Sequence, residues 1–366
     1  MSEGEGAESA DAQLASLLAQ KAELLESREK NSAESVRKSR AEHEKNKKNL
    51  KSDLKKTTAF AKKIKTITAE GLQQCIQETE TLNLTRYISE IVTALLETAF
   101  KATDVAAIVK LCVCLHRRYE EFTDPLIAGL KSSLMTFSAT EDDKDGPKKR
   151  RIQTRFMIEL YQAGVFADDA FFVSIAKMLL GKRKAIGSAL PSNAGGGGDG
   201  GSGGGGGLTI NKKYADLQGL TTFVKYGAEI LLGYCPPKVQ ATCSKAGKPL
   251  DAATLTIADL LSDTCPIRLL ASSTACEAIR EQVQPAYLTL CEDLVKAHKE
   301  LRTKERRFNK DTLLHGALSE EKQGILDTAA KFFEKLLSVV QALAEAMNET
   351  VPELQEGEEE EEEKRG

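Results

Sequence analysis

The densest set of metal-ligating side chains in the sequence is the stretch CVCLH, which places Cys112, Cys114 and His116 within five residues. Thiolates and imidazoles are the usual tetrahedral zinc ligands, and a closed site takes four of them. On a helix, positions 112 and 116 share a face, whereas position 114 points roughly 160° from their mean direction. No matching cluster offers a fourth ligand, so the three read as two core cysteines and a partly buried histidine, and no metal is expected. The four histidines, His43, His116, His298 and His315, stand in no HExxH sequence and beside no GxSxG, the patterns that activate a water or a serine. A formal GxGxxG match falls inside the glycine run 195–207. A dinucleotide-binding turn needs a strand before it and a helix start after it, and neither pattern is there. No Walker sequence is present. The chain is expected not to be an enzyme and to use no cofactor or small-molecule substrate.

Charge is the remaining chemistry. GPKKRRIQTRFMIELYQAGVF, residues 146–166, sets Lys148, Lys149, Arg150 and Arg151 where a helix should start. Pro147 suits a first helical position. A helix N-terminus is partly positive, so each cation there costs a few tenths to about 1 kcal/mol. Glu141, Asp142, Asp143 and Asp145 lie just upstream and offset part of that cost in a solvated junction. The run also fits an anion site or a nuclear-import sequence. A second basic face is expected on the helix that starts at Pro285. Tyr287, Leu290, Leu294, Leu301 and Phe308 occupy one side of it, and Lys296, Lys299, Arg306, Arg307 and Lys310 the opposite one. Glu292 and Glu300 interrupt that stripe. The third is residues 28–65, with fourteen Lys/Arg against five Asp/Glu. Such an excess predicts weak RNA binding, indifferent to sequence and steeply salt-dependent. It lacks the interleaved aromatics on which single-stranded bases stack.

The elements that carry these residues are helical throughout. The 366 residues are 41% hydrophobic, with no tryptophan and 5% aromatics, so the core is built mainly from Leu, Ile, Val and Ala. Eight cysteines without a CxxC pair, and no apolar N-terminal leader, lead us to expect reduced thiols and an intracellular protein. No stretch approaches 18 uninterrupted apolar residues, and no membrane span is expected. Leu84, Ile88, Ile91, Val92, Leu95 and Leu96 fall on one helical face. Val105, Ile108, Cys112, Leu115 and Tyr119 form another stripe behind Asp104, a plausible N-cap. A further helix is expected to open at Asp124 and Pro125, and a last one at Ser319. Antiparallel pairs repeated about five times predict an all-α, HEAT-like α-solenoid with a long basic N-terminal helical arm. The expected divisions are a disordered 1–12, the arm 13–65 reaching away from the body until Phe60, and a first helical part 66–191. A flexible glycine-rich insert 192–208, a second helical part 209–350 and an acidic, disordered tail 351–366 follow.

Several segments together resemble one known domain. LNLTRYISEIVTALLETAFKATDVAAIVKLCVCLHRRYEEF, RRIQTRFMIELYQAGVF, PAYLTLCEDLVKAHKELRTKERRFNKDTLLHGALSEEK and LAEAMNETVPEL are similar, in order and spacing, to the first of three middle domains in a family of nonsense-mediated mRNA decay factors. Such domains were first described in translation initiation factor four G. The resemblance covers about residues 55–355; the polyglycine insert departs from it. It implies a non-catalytic adaptor that bridges surveillance factors on mRNA, with other decay factors and mRNA-bound complexes as partners. A cytoplasmic protein is expected, with perinuclear residence or shuttling to the nucleus as alternatives. In the family the known contacts belong to later repeats and a C-terminal tail, so no partner-binding residue carries over. A general RNA-binding or helicase-binding translation scaffold with a middle domain is the alternative.

Overall fold

A computed structural model describes residues 2–67, 71–98, 100–136, 146–181, 216–250, 255–316 and 318–354. Along the chain, α1 (Ser2–Glu29), α2 (Ala33–Asn46) and α3 (Leu54–Ile64) precede α4 (Leu72–Thr81), α5 (Ile88–Glu97), α6 (Val105–Arg118) and α7 (Glu120–Thr136). Then come α8 (Gly146–Gln162), α9 (Ala170–Leu180), α10 (Leu217–Gly227), α11 (Pro237–Lys245) and α12 (Ile257–Leu261). α13 (Ser273–His315) and α14 (Glu320–Met347) complete the order. Among the described residues there is no strand, only an isolated bridge between Lys51 and Leu82. The insert 192–208, the loop 138–145 and the tail beyond Leu354 lie outside the described residues.

The apolar stripes dictate how the helices stack. α3, α5, α7, α9 and α13 touch in succession and form one layer; α4, α6, α8, α10 and α14 form the other. Each successive pair contributes one helix to each layer, giving an all-α, HEAT-like solenoid of antiparallel pairs. Between the layers lie the fully buried rings of Phe60, Phe122, Phe156, Phe172 and Phe223, packed among Leu and Ile. Ile88, Ile91, Val92 and Leu95 are buried as their spacing predicts, and so are Val105, Ile108, Cys112, Leu115 and Tyr119. Burying each such side chain contributes about 1.5–3 kcal/mol, which is ample to offset local helix penalties.

That balance explains two boundaries that differ from expectation. α7 begins at Glu120 and α13 at Ser273, so Pro125 and Pro285 both lie inside helices. An interior proline costs about 3 kcal/mol. In α13 the buried series Cys276, Ile279, Val283, Tyr287, Leu290 and Leu294 runs straight through Pro285, and its burial outweighs the lost bond. Ser272 caps the start by accepting from the Ala275 amide at 3.3 Å. α14 starts as its sequence predicts, with the Ser319 hydroxyl accepting from the Lys322 amide at 3.4 Å.

The N-terminal arm also differs from expectation. It is helical from Ser2, Ala10 is buried within the stretch expected to be disordered, and the arm lies along the solenoid instead of reaching away from it. α1 packs on α11 and α2 on α6. The physical reason is the set of orphan carbonyls at helix C-termini. Lys21 Nζ donates to the carbonyls of Leu260 at 3.2 Å, Ser262 at 2.8 Å and Cys265 at 2.9 Å, at and just beyond the end of α12. Arg28 donates to the carbonyls of Tyr161 and Gln162, and the Asn31 amide to Ala163 at 2.7 Å, all at the end of α8. Arg40 Nε donates to the His116 carbonyl at 3.1 Å in the last turn of α6. The arm also passes close over Gly164 (φ +78°), where a side-chain carbon would stand 3.3 Å from the Arg28 backbone.

Candidate functional site: the basic surfaces

The four cations at the start of α8 separate into two pairs. Lys148 and Lys149 are exposed, whereas Arg150 is 3% exposed and ion-paired with Asp216, the residue just before α10. Arg151 Nη1 donates to the Gln218 side-chain oxygen at 2.6 Å. The expectation of one basic surface is therefore corrected for the arginines: they join α8 to α10. A guanidinium this deeply buried needs a carboxylate partner, and Asp216 supplies it from 66 residues downstream. Lys148 and Lys149 line a groove of about 570 Å³ with Lys101, Leu95, Leu96, Phe100, Leu130 and Phe156. The upstream acids expected to offset the run lie outside the described residues.

α13 carries the second face. Lys296, Lys299, Arg307 and Lys310 are exposed there and Arg306 is half-buried, while Leu294, Leu301 and Phe308 face inward. Lys296 stands 3.9 Å from Glu292. Arg302 pairs with Glu305 at 3.0 Å. Lys299, Arg307 and Lys310 have no ionic partner among the described residues. On the arm, Lys45, Lys48, Lys51, Lys55 and Lys56 remain exposed after Lys21, Arg28 and Arg40 have been drawn onto the body.

CVCLH is packing. Cys112 is fully buried, and desolvation pushes its thiol far up; Cys114 is half-buried and its thiol is raised for the same reason. Both thiols therefore stay protonated. His116 Nδ1 shares a 2.7 Å hydrogen bond with the Thr123 hydroxyl. Burial, helped by the nearby Arg40 charge, lowers the His116 pKa to about 4. Among the described residues no group of three or more His, Cys, Asp or Glu is arranged to hold a metal ion. Nor is any helix there long and apolar enough to cross a membrane.

A two-layer helical stack with charged exteriors is a recurrent architecture, and sequence similarity narrows the comparison. The stretch 47–184 matches the MIF4G domain family. The chain is similar to Regulator of nonsense transcripts 2 of Homo sapiens, 26% identical over 306 residues, covering 83% of this chain and 21% of that protein. Regulator of nonsense transcripts UPF2 of Arabidopsis thaliana is 36% identical over 134 residues, covering 36% of this chain and 11% of that one. The chain thus spans about a fifth or less of the length of these curated relatives. In fold it is similar to the crystal structure of the first MIF4G domain of human nonsense mediated decay factor UPF2, with TM-score 0.69 and 24% identity, covering 97% of this chain and 100% of that one. The solenoid continues past the MIF4G match at residue 184, since α10, α13 and α14 extend both layers.

Composition and spacing locate the exposed lysines of α13 and of the stretch 47–184. They do not disclose Lys21, Arg28, Asn31, Arg40 or Asp216, each of which acts on a helix far away in sequence. The charge excess over 28–65 is the only local signal for Arg28 and Arg40, and it is equally compatible with a solvated arm.

Proposed function

We propose that the chain is a non-catalytic scaffold of nonsense-mediated mRNA decay, an adaptor that holds surveillance factors together on mRNA. The observation that carries this reading is the similarity to Regulator of nonsense transcripts 2 along 83% of the chain, on a solenoid whose exposed lysines stand on its outer surfaces. The Cys112 thiol and His116 are held neutral by desolvation, which suits packing and not nucleophilic or base chemistry. Its partners are other decay factors and mRNA-bound complexes, met in the cytoplasm. The burial of Arg150 counts against the KKRR run as a nuclear-import address, which would have to be accessible to its reader. The test is depletion of the protein from its host cells and measurement of the half-life of a reporter mRNA with a premature stop codon. Selective lengthening of that half-life, restored by re-expression, is expected; equal decay with and without the protein overturns the reading.

A second reading, direct RNA binding through basic surfaces, is favoured by the unpaired cations of α13. It would be electrostatic, weak and salt-dependent.

A further inference from the structure

The two exposed lysines at the start of α8 stand over a hollow. Lys148 and Lys149 from α8 and Lys101 from the loop after α5 line the groove of about 570 Å³, and all three are exposed. None of the three has an ionic partner among the described residues, and no carboxylate lines the groove. Leu95, Leu130 and Phe156 form its floor, each 2% exposed or less, with Leu96 and Ile152 half-buried beside them. The volume falls in the range of about 300–1,000 Å³ that ligand pockets occupy.

This lining selects its occupant. Apolar walls favour apolar side chains, and three uncompensated ammonium groups above them favour carboxylates. A nucleic acid needs ring faces on which bases stack, and Phe100 and Phe156 are only 8% and 2% exposed. A small free anion would leave the apolar walls in water, and exposed lysines alone hold it weakly. A lipid surface needs protruding apolar side chains, whereas Leu95, Leu130 and Phe156 are recessed. An extended peptide needs a sheet edge to join, and the described residues form no sheet. A helix with one apolar and one acidic face fits both the floor and the rim. We propose that this groove docks an acidic amphipathic helix of a partner protein. Its apolar side chains enter over Leu95 and Phe156, and its carboxylates meet Lys101, Lys148 and Lys149. The inference rests on the adaptor reading and gives that adaptor a partner chemistry.

Two other surfaces are less suited. The larger cavity between α2 and α7, about 740 Å³, mixes Arg37, Arg40 and Arg118 with Glu120, Glu121 and Asp124, so it selects no sign of charge. The basic face of α13 carries more cations, but between Lys296 and Lys310 its apolar side chains Ala297, Leu301 and Phe308 are all buried, and it offers no anchor. Because the groove combines charge with burial, its grip weakens with salt as the screening length shortens without vanishing. Glu141, Asp142, Asp143 and Asp145 precede α8 in sequence, and the test includes a variant in which all four are changed to the corresponding amides.

The probe is a fluorescein-labelled peptide of about fourteen residues, with Leu and Phe at i, i+3, i+4 and i+7 and Glu elsewhere, titrated into the full chain and followed by anisotropy. A control peptide keeps the glutamates and replaces each Leu and Phe by Ser. The first should bind more than about tenfold tighter than the control, because apolar burial adds to charge. Lys101→Glu, Lys148→Glu and Lys149→Glu together should weaken binding about tenfold at low salt, while Lys299→Glu with Lys310→Glu leaves it within about twofold. All five lysines are exposed, and an unchanged thermal unfolding midpoint keeps folding out of the comparison. Carbodiimide links from the peptide carboxylates, mapped by mass spectrometry, should fall on Lys101, Lys148 and Lys149. Equal affinity for the control, links concentrated on α13 or the arm, an affinity unmoved by the groove triple, or no binding until the acids of 141–145 are neutralised each overturn the proposal. Poly(U) shielding the three groove lysines from acetylation better than the peptide does would assign the groove to RNA and overturn it too. None of these readouts involves reporter mRNA half-life, so the groove and the decay reading fail separately.

Discussion

The Lys21 ammonium donates to the Cys265 carbonyl at 2.9 Å, across 244 positions of sequence. The side chain is only 4% exposed, and burial lowers its pKa while the nearby Cys265, Asp263 and Glu229 oppose the shift. With Leu260 and Ser262 it completes three bonds that end α12. The N-terminal helix is therefore part of the folded body, held by the polar ends of other helices as well as by Leu14, Leu17 and Leu18, which pack on the core.

Lys21→Met tests that attachment. It keeps the aliphatic stem and removes all three donors, leaving buried carbonyls unpaired at about 1–3 kcal/mol for each one that water fails to reach. A loss of about 2–4 kcal/mol in urea unfolding is expected, with tryptic cleavage in α1 preceding cleavage of the body. A change under about 0.5 kcal/mol would mean that the arm is not part of the cooperative fold.

The Arg150–Asp216 pair predicts an asymmetry within the KKRR run. Asp216→Asn removes the carboxylate paired with a buried guanidinium, and losing one member of a buried pair costs about 3–5 kcal/mol. Because the Asp216 side chain remains 25% exposed, the lower end, about 3 kcal/mol, is expected. The double change Lys148→Gln and Lys149→Gln, on exposed residues of the same helical turn, should stay within about 0.5 kcal/mol. Chemical unfolding of both variants distinguishes a helix-joining pair from a uniform surface cluster.

Those two sites mark the limit of what was legible in the sequence. Stripes such as Ile88, Ile91, Val92 and Leu95 repeat at helical spacing because a helix face is a local pattern, and the layered fold follows from stacking such faces. The boundaries at Pro125 and Pro285 were not legible, because the proline penalty is overridden by burial, and the helices against which α7 and α13 bury their faces are not given by local sequence. Nor was the role of the arm. Its lysines and arginines look alike in sequence, and only the positions of the α6, α8 and α12 carbonyls separate structural Lys21, Arg28 and Arg40 from exposed Lys48 and Lys55. The same blindness made Arg150 look like its neighbour Lys149.

His116 predicts a pH dependence. Its folded pKa is lowered to about 4, whereas an unfolded histidine titrates near 6.5. Below about 6.5 the unfolded chain gains a proton that the folded one refuses, so stability falls as pH drops and the effect levels off near pH 4. His43, lowered mainly by burial, acts with the same sign. The His116 contribution should not exceed about 3 kcal/mol. The difference between wild type and His116→Gln, followed by urea midpoints from pH 7.5 to 4, isolates it from the carboxylates. A constant difference across that range would show that His116 titrates normally.

The RNA-binding reading makes its own quantitative demand. Lys299, Arg307 and Lys310 are exposed and unpaired, so converting all three to glutamine leaves the fold alone and removes three phosphate contacts. For single strands the slope of log affinity against log salt is about −0.7 per neutralised phosphate, so the triple variant should flatten the slope for poly(U) by about 2. A matching triple change at Lys48, Lys51 and Lys55 then compares the opposite end of the solenoid. If the slope follows the α13 triple, that face carries the phosphate contacts; if it follows only the arm triple, RNA is held at the far end. A slope unmoved by either would remove electrostatic RNA binding at both basic surfaces and leave the adaptor reading to stand on protein partners.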